Sequence, residues 1–282
     1  MKFALKIALQ LLAASSLASS LAAAEPMPDR RITYKKVGDG ELKLHLFNPP
    51  GHKISDKTPA IVFFFGGGWN GGAPKQFYPQ CAYFASRGLV AVSAEYRTYK
   101  SHKTSPRECV MDGKSAVRWL RSHAVELGID PDKIAAGGGS AGGHVAATTG
   151  TVTGFNEKGE DTTVSCIPNA LVLFNPVYDN GPKGYGYSRV KDYWKEFSPM
   201  HNLSKATPPT IVFLGTKDEL IPVATAKEYQ KRMKALGIRS DLHLYEGQPH
   251  GFFNKQKYQE TVIETDKFLK ELGFLKGEPT LK

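Results

Sequence analysis

The sequence is poor in cysteine, with three in 282 residues, so a scaffold held by several disulfides is excluded. Cys81, Cys109 and Cys166 match no zinc spacing, and none lies in a Cys/His nucleophile context. One bond plus one buried thiol, or three buried thiols, both remain open. Past the first two dozen residues there is no apolar run of about 18 residues, so no later segment is expected to span a bilayer. Internal repeats, low-complexity tracts and interdomain linkers are also absent, which excludes solenoids and disordered spacers. No Lys-Ser/Thr pair follows the central glycines, so a phosphate-binding P-loop is not expected.

What is present is an ordinary globular mixture, 41% hydrophobic, 23% charged and 11% aromatic. A chain of this size buries about 75% of its unfolded surface, enough for a core without staples. The formal net charge is +10, but the cations are scattered, as in Lys35-Lys36, Arg97/Lys100/Lys103 and Lys255/Lys257. No basic helix face or nucleic-acid signature results, so nucleic acid is not an expected partner. A solvated cationic surface is the plain reading; attraction to acidic polymers is the sharper one. Lys2 and Lys6, the apolar run Ile7–Leu21 and Ala22-Ala23-Ala24 together have the form of a secretory signal peptide. We therefore expect residues 1–24 to be removed, the protein to be secreted or periplasmic, and residues 25–282 to form one catalytic domain. A membrane anchor fits less well, because the run is short and rich in Ser and Ala.

Beyond the leader, strand and helix signals alternate. Ile32–Val37 and Glu41–Asn48 flank a Gly-Asp-Gly turn and predict a hairpin. Continuous apolar runs predict buried strands at Ala60–Phe65, Leu89–Glu95, Ala170–Phe174 and Thr210–Leu214, with shorter ones at Lys133–Gly137 and Asp241–Tyr245. Helices are predicted over Gln76–Arg87, from Pro106 to a stop at Gly128, from Ala141, and over Val223–Leu236 and Lys257–Leu272. Ser105-Pro-Arg-Glu108 is a capping box with Pro at the first helical position. Such alternation predicts a mostly parallel sheet with helices on both faces, and such sheets place ligands at the carboxyl ends of strands.

Four of those strand ends carry chemistry. Gly138-x-Ser140-x-Gly142 matches the nucleophile elbow, a strand–turn–helix in which small flanking residues let a serine hydroxyl project above the sheet. A serine needs a base, and among eight His the best placed is His250, in the Pro- and Gly-shaped loop after the last strand. Asp218, after Thr210–Leu214, is the best acid to orient it; Asp179, after Ala170–Phe174, is the runner-up. The order Ser140, Asp218, His250 is that of an elbow hydrolase. His144, one turn past Ser140, is read as a packing residue. At the fourth strand end, Phe65-Gly66-Gly67-Gly68-Trp69, the glycines allow backbone N–H groups to face a ligand. The oxyanion hole is assigned to the amides of Ala141 and Gly67 or Gly68. The stretch Gly137-x-Gly139-x-x-Gly142 also fits a dinucleotide fingerprint, but it lies mid-chain and the acids Glu160 and Asp161 fall in a polar loop rather than at a strand end.

On these residues, together with Glu95-Tyr96-Arg97, Gly143 and His250-Gly251-Phe252, the chain resembles the α/β-hydrolase superfamily over about residues 30–275. Within it the resemblance is to the acetyl-esterase/lipase group related to hormone-sensitive lipase and to carbohydrate esterases. It implies an α/β-hydrolase fold with a small or absent cap, and hydrolysis through an acyl-serine without cofactor or metal. Two departures stand out. Phe65 replaces the His that usually opens the oxyanion loop, so the loop needs different support. Residues 25–59 look like strands where relatives often carry a helical cap, leaving residues 177–208 as the cap candidate. Trp69, Asn70, Tyr185 and Trp194 are the candidate substrate-binding residues.

The expected function is an exported serine carboxylesterase acting on short or aromatic acyl esters, with acetyl or feruloyl esters of polysaccharides as candidates. The expected partner is thus a small-molecule or polysaccharide ester, without stable membrane insertion; the oligomeric state is not legible. The alternatives are a serine peptidase of the prolyl-oligopeptidase type, a lipase acting on short-chain glycerides, or a non-catalytic binder on a hydrolase scaffold.

Overall fold

The computed structural model describes residues 25–281, and the expected leader, residues 1–24, lies outside the described residues. Eight strands form one sheet: β1 (Arg30–Val37), β2 (Gly40–Phe47), β3 (Thr58–Phe64), β4 (Val90–Ala94), β5 (Ile129–Gly139), β6 (Ala170–Phe174), β7 (Thr210–Gly215) and β8 (Ser240–Tyr245). Their order is β1-β2-β4-β3-β5-β6-β7-β8. The β1–β2 hairpin is antiparallel and joins β4 antiparallel, Leu44 opposite Ala94; from β4 to β8 every pairing is parallel.

The side-chain period of two divides the core between the faces. Val62 and Phe64 of β3 face one cluster, with Val110 and Val117 of the helix Pro106–Ser122 and Val145 of the helix Ala141–Thr151. Ile61 and Phe63 face the other, with Phe84, Phe268 and Leu269. A strand buried on both faces must be apolar at every position, which is why β3 reads as an unbroken hydrophobic run.

Nine α-helical segments surround the sheet: α1 (Tyr78–Ser86), α2 (Tyr99–His102), α3 (Pro106–Ser122), α4 (Ala124–Leu127), α5 (Ala141–Thr151), α6 (Tyr187–Val190), α7 (Trp194–Phe197), α8 (Val223–Ala235) and α9 (Tyr258–Glu271), among the described residues. The capping box is present at α3: Glu108 accepts from the Ser105 amide at 2.9 Å, and the Ser105 hydroxyl accepts from the helix's first turn. The helix stops at His123, one short turn before left-handed Gly128. The predicted helix Gln76–Arg87 instead opens with the 3₁₀ turn Pro74–Phe77.

The largest departure is β5, which extends over Ile129–Gly139 rather than Lys133–Gly137. Its glycines weaken a strand intrinsically, but here neighbours fill their space. A Cβ on Gly137 would lie 2.8 Å from the Phe63 ring, and one on Gly138 would lie 2.4 Å from the Gly142 carbonyl. Tertiary packing keeps the strand going to the residue before Ser140. All three cysteines are free and buried, which resolves the open choice in favour of three thiols. The segment 177–208 folds as α6, α7 and the 3₁₀ turn Pro199–His201, docked by buried Val190, Phe197 and Met200. No helix of the described residues is long and apolar enough to cross a membrane.

Candidate active site

Ser140 stands between β5 and α5 with φ 54° and ψ −120°, a backbone region that side chains rarely adopt. The turn is held from both sides. The Ser140 amide donates to the Phe174 carbonyl at 2.9 Å, and the Ser140 carbonyl accepts from His144 and Val177 at 3.1 Å each. A Cβ on Gly142 would meet the Phe64 carbonyl at 2.1 Å, and one on Gly66 would lie 3.4 Å from the Ser140 Cβ. The glycines around Ser140 are thus required by close backbone approach, the physical content of the elbow motif.

Asp218 follows β7 with its side chain fully buried. One carboxylate oxygen accepts from the amides of Leu220 and Ile221, both at 2.9 Å. The other accepts from His250 Nδ1 at 2.7 Å. The two loops are pressed together, since a Cβ on Gly215 would be 2.1 Å from the Gln248 carbonyl. Asp179, the runner-up acid, instead accepts from the Gly181 amide and lies 3.9 Å from His201 Nδ1. The structure therefore joins His250 to Asp218 and not to Asp179.

The proton on His250 can be located from Asn175, a fully buried residue just after β6. Asn175 Oδ1 faces the Gly251 amide at 3.0 Å, and an amide N–H can only donate. That fixes the orientation of the Asn175 side chain and turns its Nδ2 towards His250 Nε2, at 3.3 Å. Nδ2 also only donates, so Nε2 is the acceptor and the neutral ring carries its proton on Nδ1, towards Asp218. This is the tautomer a general base needs. Among the described residues Nε2 bonds to Asn175 and has no hydrogen bond to Ser140. Asn175 was not singled out from the sequence; its one signal there was a polar residue directly after a buried strand.

The glycine loop provides the third component. Gly67 and Gly68 have φ of 131° and 62°, and a Cβ on Gly67 would be 2.2 Å from the Gly71 carbonyl. The Gly67 carbonyl accepts from Asn70 and Gly71, while Gln76 accepts from the Gly66 amide at 2.6 Å. The amides of Gly67, Gly68 and Ala141 donate to no acceptor among the described residues, which leaves them available to an oxyanion. Phe65 is stacked on Tyr96 at 4.1 Å between ring centres, and the Tyr96 hydroxyl donates to the Phe65 carbonyl. This stack is the different support that the missing His required. Tyr96 is followed by Arg97, which forms a fork on Asp112 of α3 and so ties the segment to a long helix.

The insertion 177–208 leans on the same loop. Arg189 donates to the Gly68 carbonyl at 2.5 Å and lies over the Trp69 ring. Trp69 is 1% exposed with φ 57°, and its ring is edge-on to His144. Burial, partly offset by the Asn180 side chain and the Phe197 backbone, pushes the His144 imidazole down to about 3. His144 is thus a neutral packing ring. Tyr185 approaches the loop, its hydroxyl 3.0 Å from where a Cβ on Gly68 would stand. Trp69 and Asn70 line a cavity beside the loop; Trp194 packs on Gly181 and edge-on to His201 instead. Among the described residues no cluster of three or more His, Cys, Asp or Glu is placed to hold a metal ion.

A mostly parallel eight-stranded sheet with an elbow after β5 and an acid–base pair after β7 and β8 is the α/β-hydrolase architecture. Comparison with known proteins agrees. The BD-FAE family matches residues 44–172, and the prolyl oligopeptidase family matches residues 161–273. Esterase LipC of Mycobacterium tuberculosis is 28% identical over 217 residues, 69% of this chain and 53% of that protein. An acetylxylan esterase of Xylanibacter ruminicola is 26% identical over 273 residues, 90% of this chain and 52% of that protein. The chain spans between 51% and 61% of the length of the first curated relatives it matches. The apo structure of Thermogutta terrifontis esterase 2 is similar with a TM-score of 0.85 and 44% identity, covering 88% of this chain and 96% of that one. The chain belongs to the esterase/lipase group of the α/β-hydrolase superfamily.

Proposed function

We propose that the protein is a serine carboxylesterase that cleaves short or aromatic acyl esters, including acetyl or feruloyl esters of polysaccharides, through an acyl-serine. The observation that carries this reading is the Asp218–His250–Asn175 arrangement, which leaves His250 Nε2 as an unprotonated acceptor against Asn175, the residue after the Phe174 carbonyl that holds the Ser140 amide. A single lone pair accepts from one donor at a time, so the Ser140 hydroxyl replaces the Asn175 amide at Nε2 when substrate engages. Ser140 Oγ then attacks the ester carbonyl as Nε2 takes its proton. Asp218 stabilises the imidazolium, and the amides of Ala141 and Gly67 or Gly68 hold the oxyanion, each such donor contributing ~2.7–4 kcal/mol. The tetrahedral adduct collapses with transfer of the proton from Nε2 to the leaving alcohol. Water, deprotonated by the same nitrogen, attacks the acyl-serine and releases the acid.

The acetylxylan esterase among the relatives supports the carbohydrate-ester reading. The match of the prolyl oligopeptidase family over residues 161–273, which contain Asp218 and His250, supports amide hydrolysis as the second reading. Fluorophosphonate labelling, located by peptide mass, is expected at Ser140 and is to be abolished in Ser140→Ala. A panel of p-nitrophenyl esters, acetylated xylan, methyl ferulate and prolyl peptide amides then separates the readings. Turnover of the esters without the amides is expected; amide turnover at comparable kcat/KM overturns the esterase reading. We also propose export with removal of residues 1–24, for which the N-terminal sequence of the secreted protein is the test.

A further inference from the structure

A cavity of about 470 Å³ opens beside the glycine loop, between that loop, the turn after α2 and the helix α6 of the insertion. Its lining includes Trp69, Asn70, Tyr99, Lys103, Thr104 and Arg189. It contains two cations and no carboxylate. Neither Lys103 nor Arg189 has a carboxylate partner among the described residues. Lys103 lies 5.2 Å from the centre of the Tyr99 ring, and Arg189 lies over the Trp69 and Tyr185 rings while holding the Gly68 carbonyl. Glu108, the acid next to this wall, is engaged by the amide and hydroxyl of Ser105. Two buried polar atoms of the lining residues, Trp69 Nε1 and Thr104 Oγ1, have no hydrogen-bond partner among the described residues.

The charge of this lining is one-sided. Lysine and arginine can only donate, and the Asn70 amide and Thr104 hydroxyl can donate as well. A ligand complementary to it offers acceptors and negative charge, and a planar carboxylate fits a guanidinium fork. The Trp69 and Tyr99 rings supply flat apolar faces that suit a sugar or aromatic ring bearing that group. We propose that this cavity binds an ionised carboxylate carried by the ester substrate, so that acidic esters, such as those of uronic acids, are preferred over neutral isosteres. The preference deepens the esterase reading and rests on it for turnover, but the binding does not.

The test therefore separates binding from hydrolysis. Calorimetric titration compares 4-acetamidobenzoate with its neutral isostere 4-acetamidobenzamide, neither of them an ester, on the full chain. The acid is expected to bind about tenfold more tightly at low ionic strength, as one or two charge-assisted hydrogen bonds allow. That margin is expected to collapse in Lys103→Ala and in Arg189→Gln, to survive in Lys103→Arg, and to shrink as salt is raised to about 1 M. The same margin is expected in kcat/KM for 4-acetoxybenzoate over 4-acetoxybenzamide. Equal binding of acid and amide by the unmodified chain overturns the proposal, as does a margin unaffected by both Lys103→Ala and Arg189→Gln. If the acid is preferred in binding and neither acetate is hydrolysed, the cavity stands and the esterase reading fails. If both acetates are hydrolysed and no preference exists, the cavity proposal alone fails.

Discussion

Asp112 and Asp218 both have fully buried side chains, yet their neighbours equip them for different tasks. Asp112 is surrounded by permanent charge: Lys35 at 2.7 Å, and Arg97 through Nε at 2.8 Å and Nη2 at 2.7 Å. Asp218 is held by two neutral backbone amides and a histidine. A carboxylate already matched by fixed cations fastens α3 to the segment after β4, and a reaction has nothing further to draw from it. A carboxylate held by neutral donors keeps its charge for a partner that becomes cationic only in the transition state. Burial alone therefore does not separate the two acids; the fixed or titratable character of their partners does.

Substitutions of the two acids test this contrast most strongly. Asp218→Asn is expected to lower kcat by about 10⁴ by reversing the tautomer of His250, with the denaturation midpoint close to that of the parent. If Asp218→Asn is mild and Asp179→Asn severe in the same ester assay, the acid assignment is wrong. Asp112→Asn leaves Arg97 and Lys35 incompletely matched and is expected to cost about 3 kcal/mol in urea unfolding. Its kcat, measured well below the unfolding transition, is expected within about twofold of the parent, as a cost of that kind falls on the folded state and not on the transition state. Loss of turnover at full stability would dissolve the distinction.

His144 extends the comparison to a buried group given neither cation nor acid. Its imidazole is held neutral down to about 3 against an ordinary 6.5, so the unfolded chain binds a proton that the folded chain does not. Stability is accordingly expected to be full above about pH 6.5 and to fall with acid towards about pH 3, at up to ~1.4 kcal/mol per pH unit. Unfolding midpoints across that range, compared between the parent and His144→Asn, check the sign; an unchanged slope excludes His144 as its source. The smallest effect is expected of Asn175→Ala, which removes the group that orients the His250 loop. A lost hydrogen bond of ~1 kcal/mol corresponds to about a fivefold fall in kcat/KM. No change in kcat/KM would show that His250 needs only Asp218.

Much of this was readable in advance, for a physical reason. Parallel strands buried on both faces must be apolar throughout, so their carboxyl ends show in the sequence as places where a hydrophobic run stops. Ser140, Asp218 and His250 each follow such a stop, and the glycines at 66, 138 and 142 announce close backbone approach from the sequence alone. Asn175 and Arg189 were not readable in this way. Their significance lies in partners 75 and 121 residues distant along the chain, His250 and the carbonyl of Gly68. The extra length of β5 at its carboxyl end was hidden as well, because Gly138 and Gly139 weaken a strand unless groups such as the Gly142 carbonyl and the Phe253 ring occupy the vacant side.

The amino-acid order by itself determined the alternation of strands and helices, the turn chemistry around Ser140 and the short set of residues able to act as acid and base, since these depend on local sterics and on periodic burial. Only the tertiary structure paired His250 with Asp218 and not with Asp179, set the Asn175 amide against His250 Nε2 and stacked Phe65 on Tyr96. Those outcomes depend on distances between atoms that the chain brings together from far apart, and no local pattern encodes such distances.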